Sequence, residues 1–103
     1  MKWVDTPTFS GDWRRLSNAY REMFLQVIPD FSEACGGFVA DPALFQWPQR
    51  LRVSRLQGAH GVWEMTWSFA GPDGIATFDF IQLEGELVLR WRRIGGHAIF
   101  RKP

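Results

Sequence analysis

The hydrophobic positions along the chain recur with two different periods. Between Ser10 and Pro29 the apolar side chains fall at helical spacing on one stripe, and polar side chains occupy the other side. This pattern predicts a helix that is capped by Ser10 or Asp12 and that stops or kinks at Pro29. The stripe consists of Leu16, Ala19, Tyr20, Met23, Phe24, Val27 and Ile28.

From Arg50 onward the period becomes two, which is typical of strands with one buried face. Four runs of strand length, 51–57, 62–69, 75–82 and 87–94, are separated by short segments rich in turn formers: GAHG, AGPDG and LEGE. Strands joined by such short turns pair antiparallel, so the pattern predicts a meander. One face of this sheet is apolar and the other is charged, so only the apolar face needs a cover, and the helix supplies it.

The remaining segments give weaker signals. Residues 3–9 contain Pro7 and predict a short strand at the edge of a sheet. A short helical piece at 29–35 and a turn at 42–45 are expected before the meander. With 103 residues the chain forms one domain, 1–103. The predicted fold class is α+β: a short N-terminal strand, and one or two helices packed on one face of a four-stranded, mainly antiparallel sheet.

Composition and charge limit the class of protein and the kind of partner that can be expected. The chain is 46% hydrophobic and 16% aromatic, which favours a folded domain over disorder. The formal net charge is only +1, but the last 17 residues hold five cations and no acid, so an anionic partner would meet the C-terminal half. No apolar run has membrane-spanning length, and the N-terminus lacks the apolar core of a signal peptide. We therefore expect a cytoplasmic protein without membrane contacts.

Metal and cysteine chemistry find little support in the residue pattern. Cys35 is the single cysteine, which excludes an internal disulfide and a cysteine-built zinc site. It lacks a positioned base in the sequence, so we do not expect it to act as a nucleophile. The two histidines, His60 and His97, lie 37 residues apart and make no metal site by spacing. We expect neither a metal nor a small-molecule cofactor.

Two stretches resemble the RelE/ParE toxin superfamily. Residues 51–67, LRVSRLQGAHGVWEMTW, are similar to the family's leucine-x-glycine turn followed by a strand of hydrophobic, aromatic and charged residues. Residues 94–101, IGGHAIFR, resemble its closing segment, in which a strand ends in glycine before a His or Arg and a short apolar-aromatic pair. The predicted element order also matches the family, and the resemblance covers most of the chain from the helix onward. It implies a RelE/ParE-like fold.

The same resemblance implies a function. RelE-like proteins are toxin components of type II toxin-antitoxin systems, and most are metal-independent mRNA endonucleases that act on the ribosome. The expected partners are therefore a cognate antitoxin protein and RNA. Members of the ParE branch instead inhibit DNA gyrase without enzymatic activity.

Cleavage of RNA by its 2′-hydroxyl needs a group that takes the proton, cations that stabilise the phosphorane-like transition state, and a donor for the leaving 5′ oxygen. Arg90 and Arg92 lie two apart on one predicted strand and share a face, and Arg52 can join them from the first strand of the meander. His97 follows a glycine bend and is suited to proton transfer near neutral pH. Glu64 is a possible base. Further RNA contacts are expected from Arg50, Arg101 and Lys102.

A purely structural interpretation stays open. Arg90 and Arg92 can instead solvate an exposed face and pair across strands with Glu64 and Asp79. Arg93 falls on the core side of the alternation, so it has to escape at the strand end or form a pair, and it is not assigned to the site. Three tryptophans alternate with the charged face and are assigned to the core rather than to base stacking: Trp63, Trp67 and Trp91.

Two positions depart from the ribonuclease pattern. Ile75 stands where many members of the family have an arginine, and Phe100 stands where the closing aromatic residue is often a tyrosine. Both departures favour a second hypothesis, a ParE-like inhibitor of DNA gyrase that binds through the helix and the C-terminal tail. A third hypothesis is a non-toxic protein-interaction domain of the same fold.

Overall fold

The structure, a computed structural model, describes residues 2–68 and 74–103 and has an α+β fold. A five-stranded sheet has the strand order β1-β5-β4-β3-β2 and carries two helices. The elements are β1 (Trp3–Asp5), α1 (Pro7–Arg15), α2 (Asn18–Ala40), β2 (Val53–Arg55), β3 (Trp63–Ser68), β4 (Gly74–Leu83) and β5 (Glu86–Gly95), with short 3-10 helices at Gln49–Leu51 and His97–Arg101.

The predicted meander is confirmed, because β2 to β5 pair antiparallel in chain order. The number of strands was wrong: β1 pairs in parallel with β5, Val4 lying opposite Arg90, so the sheet has five strands and is mixed. Glu84 and Gly85 join β4 to β5 with φ angles of 51° and 79°, as a two-residue turn of this hand requires. The turn expected at 70–74 lies largely outside the described residues.

The predicted single helix is two helices. Thr6 Oγ1 accepts the N–H of Phe9, and Pro7 occupies the first helical position, so α1 begins earlier than the apolar stripe indicates. The predicted caps, Ser10 and Asp12, are wrong because both lie inside α1. Ser17 caps α2 by accepting the N–H of Tyr20.

Of the two effects predicted for Pro29, a stop or a kink, the stop is wrong, because α2 continues through Pro29 to Ala40. A proline costs the helix one hydrogen bond, but the following turns bury Phe31, Ala34 and Cys35 in the core, and this burial favours continuing the helix. The helical piece expected at 29–35 is confirmed as part of α2. The turn expected at 42–45 is also present, since the Phe45 N–H donates to Asp41 O over 3.0 Å.

The main core lies between the helices and one face of the sheet, here called the helix face, and is built largely from aromatic rings. Trp91 is at its centre, with ring centroids 5.3 Å from Phe24, 5.2 Å from Phe31 and 5.6 Å from Phe78. The assignment of the three tryptophans to the core is confirmed: Trp67 and Trp91 are buried, and Trp63 packs half-buried against the same cluster.

The opposite side of the sheet, here called the second face, is also partly covered. Val62, Ile75 and Val88 are buried but lie outside the main core; Ile75 and Val88 occupy strand positions that alternate with it, and Val62 directly precedes β3. The 3-10 helix His97–Arg101 folds back onto this face, where Ile99 is buried and a Cβ built on Gly95 would come within 3.1 Å of it. The expectation that only one face needs a cover is therefore wrong.

Candidate functional site

A cavity of about 520 Å³ opens on the second face of the sheet. Its walls come from the start of α1, strand β5, the loop between β2 and β3, and the C-terminal tail. Four of its lining residues are cationic and none of the lining residues that the structure describes is acidic, so we call it the basic cleft. It is lined by Thr6, Thr8, Ala59, Arg90, Arg92, Arg93, Lys102 and Pro103.

Asp79 fixes the guanidinium of Arg90 at the cleft. The two residues lie opposite each other on β4 and β5. Arg90 donates from Nε to Oδ1 over 3.0 Å and from Nη2 to Oδ2 over 2.7 Å, which is a bidentate pair. These hydrogen bonds raise the pKa of Arg90 above its usual value. Arg90 is therefore oriented by the sheet and is held in its charged form.

Arg92 shares the same carboxylate. Its Nη1 donates to Asp79 Oδ2 over 2.9 Å, and its Nε donates to the main-chain oxygen of Pro103 over 2.9 Å. The tail residue thus lies across the second face, where Thr77 Oγ1 also approaches the Pro103 oxygen at 3.5 Å. The predicted pairing of Arg90 and Arg92 with Asp79 is confirmed.

A β-bulge decides the place of Arg93. Phe78 lies opposite Trp91 while Thr77 lies opposite Arg93, so β5 gains one residue at Arg92 and its alternation shifts by one. Ile94 then fills the core position. Arg93 pairs with Asp12 of α1, donating from Nε to Oδ2 over 2.7 Å and from Nη2 to Oδ1 over 3.2 Å. The expectation that Arg93 forms a pair is confirmed, but its assignment to the core side of the alternation and its exclusion from the site are wrong.

Asp12 has a buried carboxylate that accepts hydrogen bonds from several donors. Burial acts to raise its pKa, but the hydrogen bonds from Arg93, the N–H of Ile94 and Arg15 outweigh burial, so the pKa of Asp12 is lowered. Arg93 also donates from Nη1 to the main-chain oxygen of Lys102 over 3.1 Å. The guanidinium of Arg93 is therefore held at the cleft by its hydrogen bonds, as that of Arg90 is.

Two carboxylates thus orient three guanidiniums, and Lys102 adds a further cation, so the cleft keeps a positive charge. A guanidinium has five N–H donors, and the bonds from Arg90 to Asp79 use two of its nitrogens. Donors on Nη1 remain for another acceptor. A phosphate suits such a wall, because its oxygens accept paired, charge-assisted hydrogen bonds from fixed guanidiniums.

Three of the other predicted site residues, Arg52, Glu64 and His97, do not line the cleft. Arg52 precedes β2, at the far edge of the sheet, three strand spacings or about 14 Å from β5. Glu64 lies on β3 opposite Thr77 and accepts a 3.3 Å hydrogen bond from Ser54 Oγ. His97 is exposed in the C-terminal 3-10 helix, with its ring centroid 5.7 Å from that of Phe100.

The residues that were predicted to contact RNA also lie apart from one another. Lys102 lines the basic cleft, whereas Arg101 is exposed beside it in the chain and does not line it. Arg50 belongs to the helix side of the molecule, since its Nε lies 3.4 Å from Oδ2 of Asp30 on α2. The structure therefore brings Arg90, Arg92 and Lys102 together and leaves the other candidates outside.

Sequence reasoning missed Asp12 and Arg93 as parts of the site. Asp12 and Arg93 are 81 residues apart, and nothing local marks them as partners. The sequence did contain a signal for Arg93. Ile94, the next residue, suits a core position better than Arg93 does, and a β-bulge lets Ile94 take that position. Thr6 and Thr8 come to the cleft because α1 starts at Pro7, ahead of the apolar stripe.

Within the part of the chain that the structure describes, neither helix is long and apolar enough to cross a lipid bilayer. Residues 2–68 and 74–103 contain no group of three or more His, Cys, Asp and Glu side chains that could hold a metal ion. No model of a known protein family matches the chain, and no curated protein or solved structure matches it.

Proposed function

We propose that the protein is the toxin component of a type II toxin-antitoxin system, a RelE-like, metal-independent endonuclease that binds mRNA on the ribosome through the basic cleft. The observation that carries the proposal is the wall formed by Arg90, Arg92, Arg93 and Lys102. The resemblance of residues 51–67 and 94–101 to the RelE/ParE superfamily supports it. The expected protein partner is a cognate antitoxin that covers the cleft.

In this proposal the arginines act on the scissile phosphate. Arg90 and Arg92 are oriented by Asp79 before substrate arrives, so little reorganisation accompanies the charge that develops in the transition state. His97 and Glu64 are the candidates for proton transfer. Neither lines the cleft, so the RNA has to extend beyond it across the second face for either to contact the reacting atoms.

The test needs a variant that removes the arginines and leaves no buried charge behind. Replacing Arg90 and Arg92 alone would strand the carboxylate of Asp79, whose side chain is only 12% exposed. The triple variant Asp79→Asn, Arg90→Gln, Arg92→Gln keeps polar contacts without charge. We expect it to fold, to lose growth arrest on expression and to lose RNA cleavage.

Arg50→Gln is the matched control, because it removes an exposed arginine from the helix side of the molecule. It should keep the toxicity of the original chain. Thermal unfolding followed by circular dichroism verifies that both variants are folded. A folded triple variant that still arrests growth and cleaves RNA would overturn the assignment of the cleft.

A second candidate is a non-enzymatic, ParE-like inhibitor of DNA gyrase. Two observations favour it: Asp79 already binds both arginines, and Ile75 is 2% exposed where many ribonucleases of the family have a cation. It predicts a DNA-damage response on expression without loss of mRNA. A protein of this fold that acts only as an interaction domain would produce neither effect.

A further inference from the structure

A second concavity, of about 340 Å³, lies on the helix face of the sheet beside β1, away from the basic cleft. Its lining includes Trp3, Phe9, Trp13, Leu25 and Asp5, and we call it the apolar groove. Trp3 is 38% exposed and Leu25 is 55% exposed, which is high for side chains of this size. Apolar side chains therefore meet water at a place where the surface is already concave.

Among the residues that the structure describes, β1 pairs only with β5, so its other edge is open. The N–H of Leu89 donates to Lys2 O over 3.2 Å, and the N–H of Thr6 donates to Trp91 O over 3.0 Å. Main-chain groups alternate in direction along a strand, so Lys2, Val4 and Thr6 face β5. The N–H and C=O groups of Trp3 and Asp5 then point away from the sheet, as on any unpaired edge.

We propose that an extended segment of a partner protein pairs with β1 as a sixth strand, placing an apolar side chain in the apolar groove and a lysine or arginine beside Asp5. Only an extended backbone matches the outward groups of Trp3 and Asp5. Every second residue of such a strand faces the same side as Trp3 and Asp5, which is the side of the groove.

The charge of Asp5 specifies the partner further. Its carboxylate lines a groove whose other lining residues are aromatic or aliphatic, except for Ser10 and the cation Arg14. Burial raises its pKa, so a cation placed beside it would stabilise the ionised form. A second copy of this chain is a poorer match: antiparallel pairing of two β1 strands about Val4 sets Trp3 against Asp5 and supplies no cation.

The other edge of the sheet does not offer the same features. Its strand, β2, starts after Arg52, which has the left-handed φ of 45°. Within β2, the guanidinium of Arg55 lies over the Trp63 ring, 4.9 Å from its centroid. A cation on this edge disfavours pairing with a strand that carries lysine or arginine, whereas the charge on β1 is the carboxylate of Asp5.

The experiment titrates the full chain with a blocked seven-residue peptide in which threonines alternate with lysine, leucine and lysine. This order is a palindrome, so it fits β1 in either direction. We expect saturable shifts of the Trp3 and Asp5 amide signals in ¹H–¹⁵N spectra, together with Leu25. A matched peptide with glutamines in place of the lysines should bind about threefold more weakly, as for a partly exposed ion pair.

Two variants separate the contribution of the Asp5 charge to peptide binding from that of main-chain pairing with β1. Asp5→Asn should remove the difference between the two peptides. Asp5→Pro removes one outward N–H but no bond to β5, because proline is tolerated on an edge strand, and it should abolish binding while the remaining spectrum is retained. The proposal is overturned if the peptide shifts no signal of β1 or binds elsewhere. It is also overturned if the β1 signals shift with protein concentration alone, which would indicate self-association. Because the titration contains no RNA, its outcome is independent of the proposed nuclease activity.

Discussion

Asp12 of α1 accepts a hydrogen bond from the main-chain N–H of Ile94 in β5, with 3.2 Å between the nitrogen and Oδ2. The parallel partner β1 ends at Asp5, opposite Trp91, so within residues 2–68 and 74–103 no strand lies beside this edge of β5 from Arg92 onward. A side-chain carboxylate takes the place of the missing strand at Ile94. The same carboxylate binds Arg93, so one residue joins α1, the edge of the sheet and the basic cleft.

Asp12→Ala should lower the free energy of unfolding by about 3 kcal/mol, because it leaves the half-buried Arg93 and the buried N–H of Ile94 without their acceptor. Urea unfolding measures the change. Asp30→Ala is the matched control, since it breaks a pair with Arg50 that is more than half exposed, and it should cost under about 1 kcal/mol. Equal effects of the two substitutions would contradict the role of Asp12.

The lowered pKa of Asp12 predicts the pH dependence of stability. A carboxyl group whose pKa is lower in the folded state than its unfolded value of about 4 stabilises the fold above that value, and this contribution is lost as the pH falls through the folded pKa. The difference in stability between the original chain and Asp12→Asn should therefore be largest near pH 7 and shrink below about pH 4. A difference that stays constant down to pH 2 would show that the charge of Asp12 contributes nothing.

Periodicity predicted the local parts of this fold. The meander follows from apolar alternation between turn formers, and the tight turn follows from Gly85, which accepts a positive φ without steric cost. The early start of α1 was missed because its signal, Thr6 and Pro7, precedes the apolar stripe, and the break before α2 was missed because its cap, Ser17, falls within the span of the stripe. Propensity alone predicted that the helix stops or kinks at Pro29, and burial of the following turns favours its continuation.

The site was less predictable for a physical reason. Arg90, Arg92 and their partner Asp79 sit on neighbouring strands, so alternation alone brings them together. The bulge at Arg92 and the tail that crosses the second face depend on contacts between distant segments, which leave no periodic signal. Arg52 does not join the site because two strands, β3 and β4, separate β2 from β5. This strand order keeps Arg52 away from the cleft whichever face of the sheet it lies on.

Two adjacent glycines of α2 should respond in opposite directions to substitution by alanine. Apart from its chain neighbours and the backbone of its own helix, a Cβ on Gly36 would meet no described heavy atom within 4 Å, so Gly36→Ala should stabilise the protein by about 0.5–1 kcal/mol through helix propensity. A Cβ on Gly37 would lie 2.5 Å from Phe45 Cε1, so Gly37→Ala has to displace that ring and should cost about 1–3 kcal/mol. Thermal unfolding compares them, and stabilisation by both would mean that Phe45 moves without cost.

Cys35 should be inert in the folded protein. Its side chain is 1% exposed, and burial raises the pKa of the thiol to about 12. At pH 8 only about one thiol in ten thousand would be ionised, and the thiolate is the reactive form. A colorimetric thiol reagent should therefore label the protein only in urea, at a rate that glutathione calibrates. Rapid stoichiometric labelling of the native protein would contradict this burial.

Asp79→Asn tests whether the cleft acts through its positive charge alone or also through the fixed orientation of its guanidiniums. This prediction rests on the proposed nuclease function. The substitution keeps an acceptor for Arg90 but removes the charge that fixes both Arg90 and Arg92. Net positive charge rises, so RNA should bind as tightly or more tightly, as measured by fluorescence anisotropy. Cleavage should nevertheless fall by about tenfold or more, because guanidiniums that are no longer held in place have to be ordered in the transition state. If cleavage rises together with binding, the orientation imposed by Asp79 has no part in the reaction, and the positive charge of the cleft is sufficient.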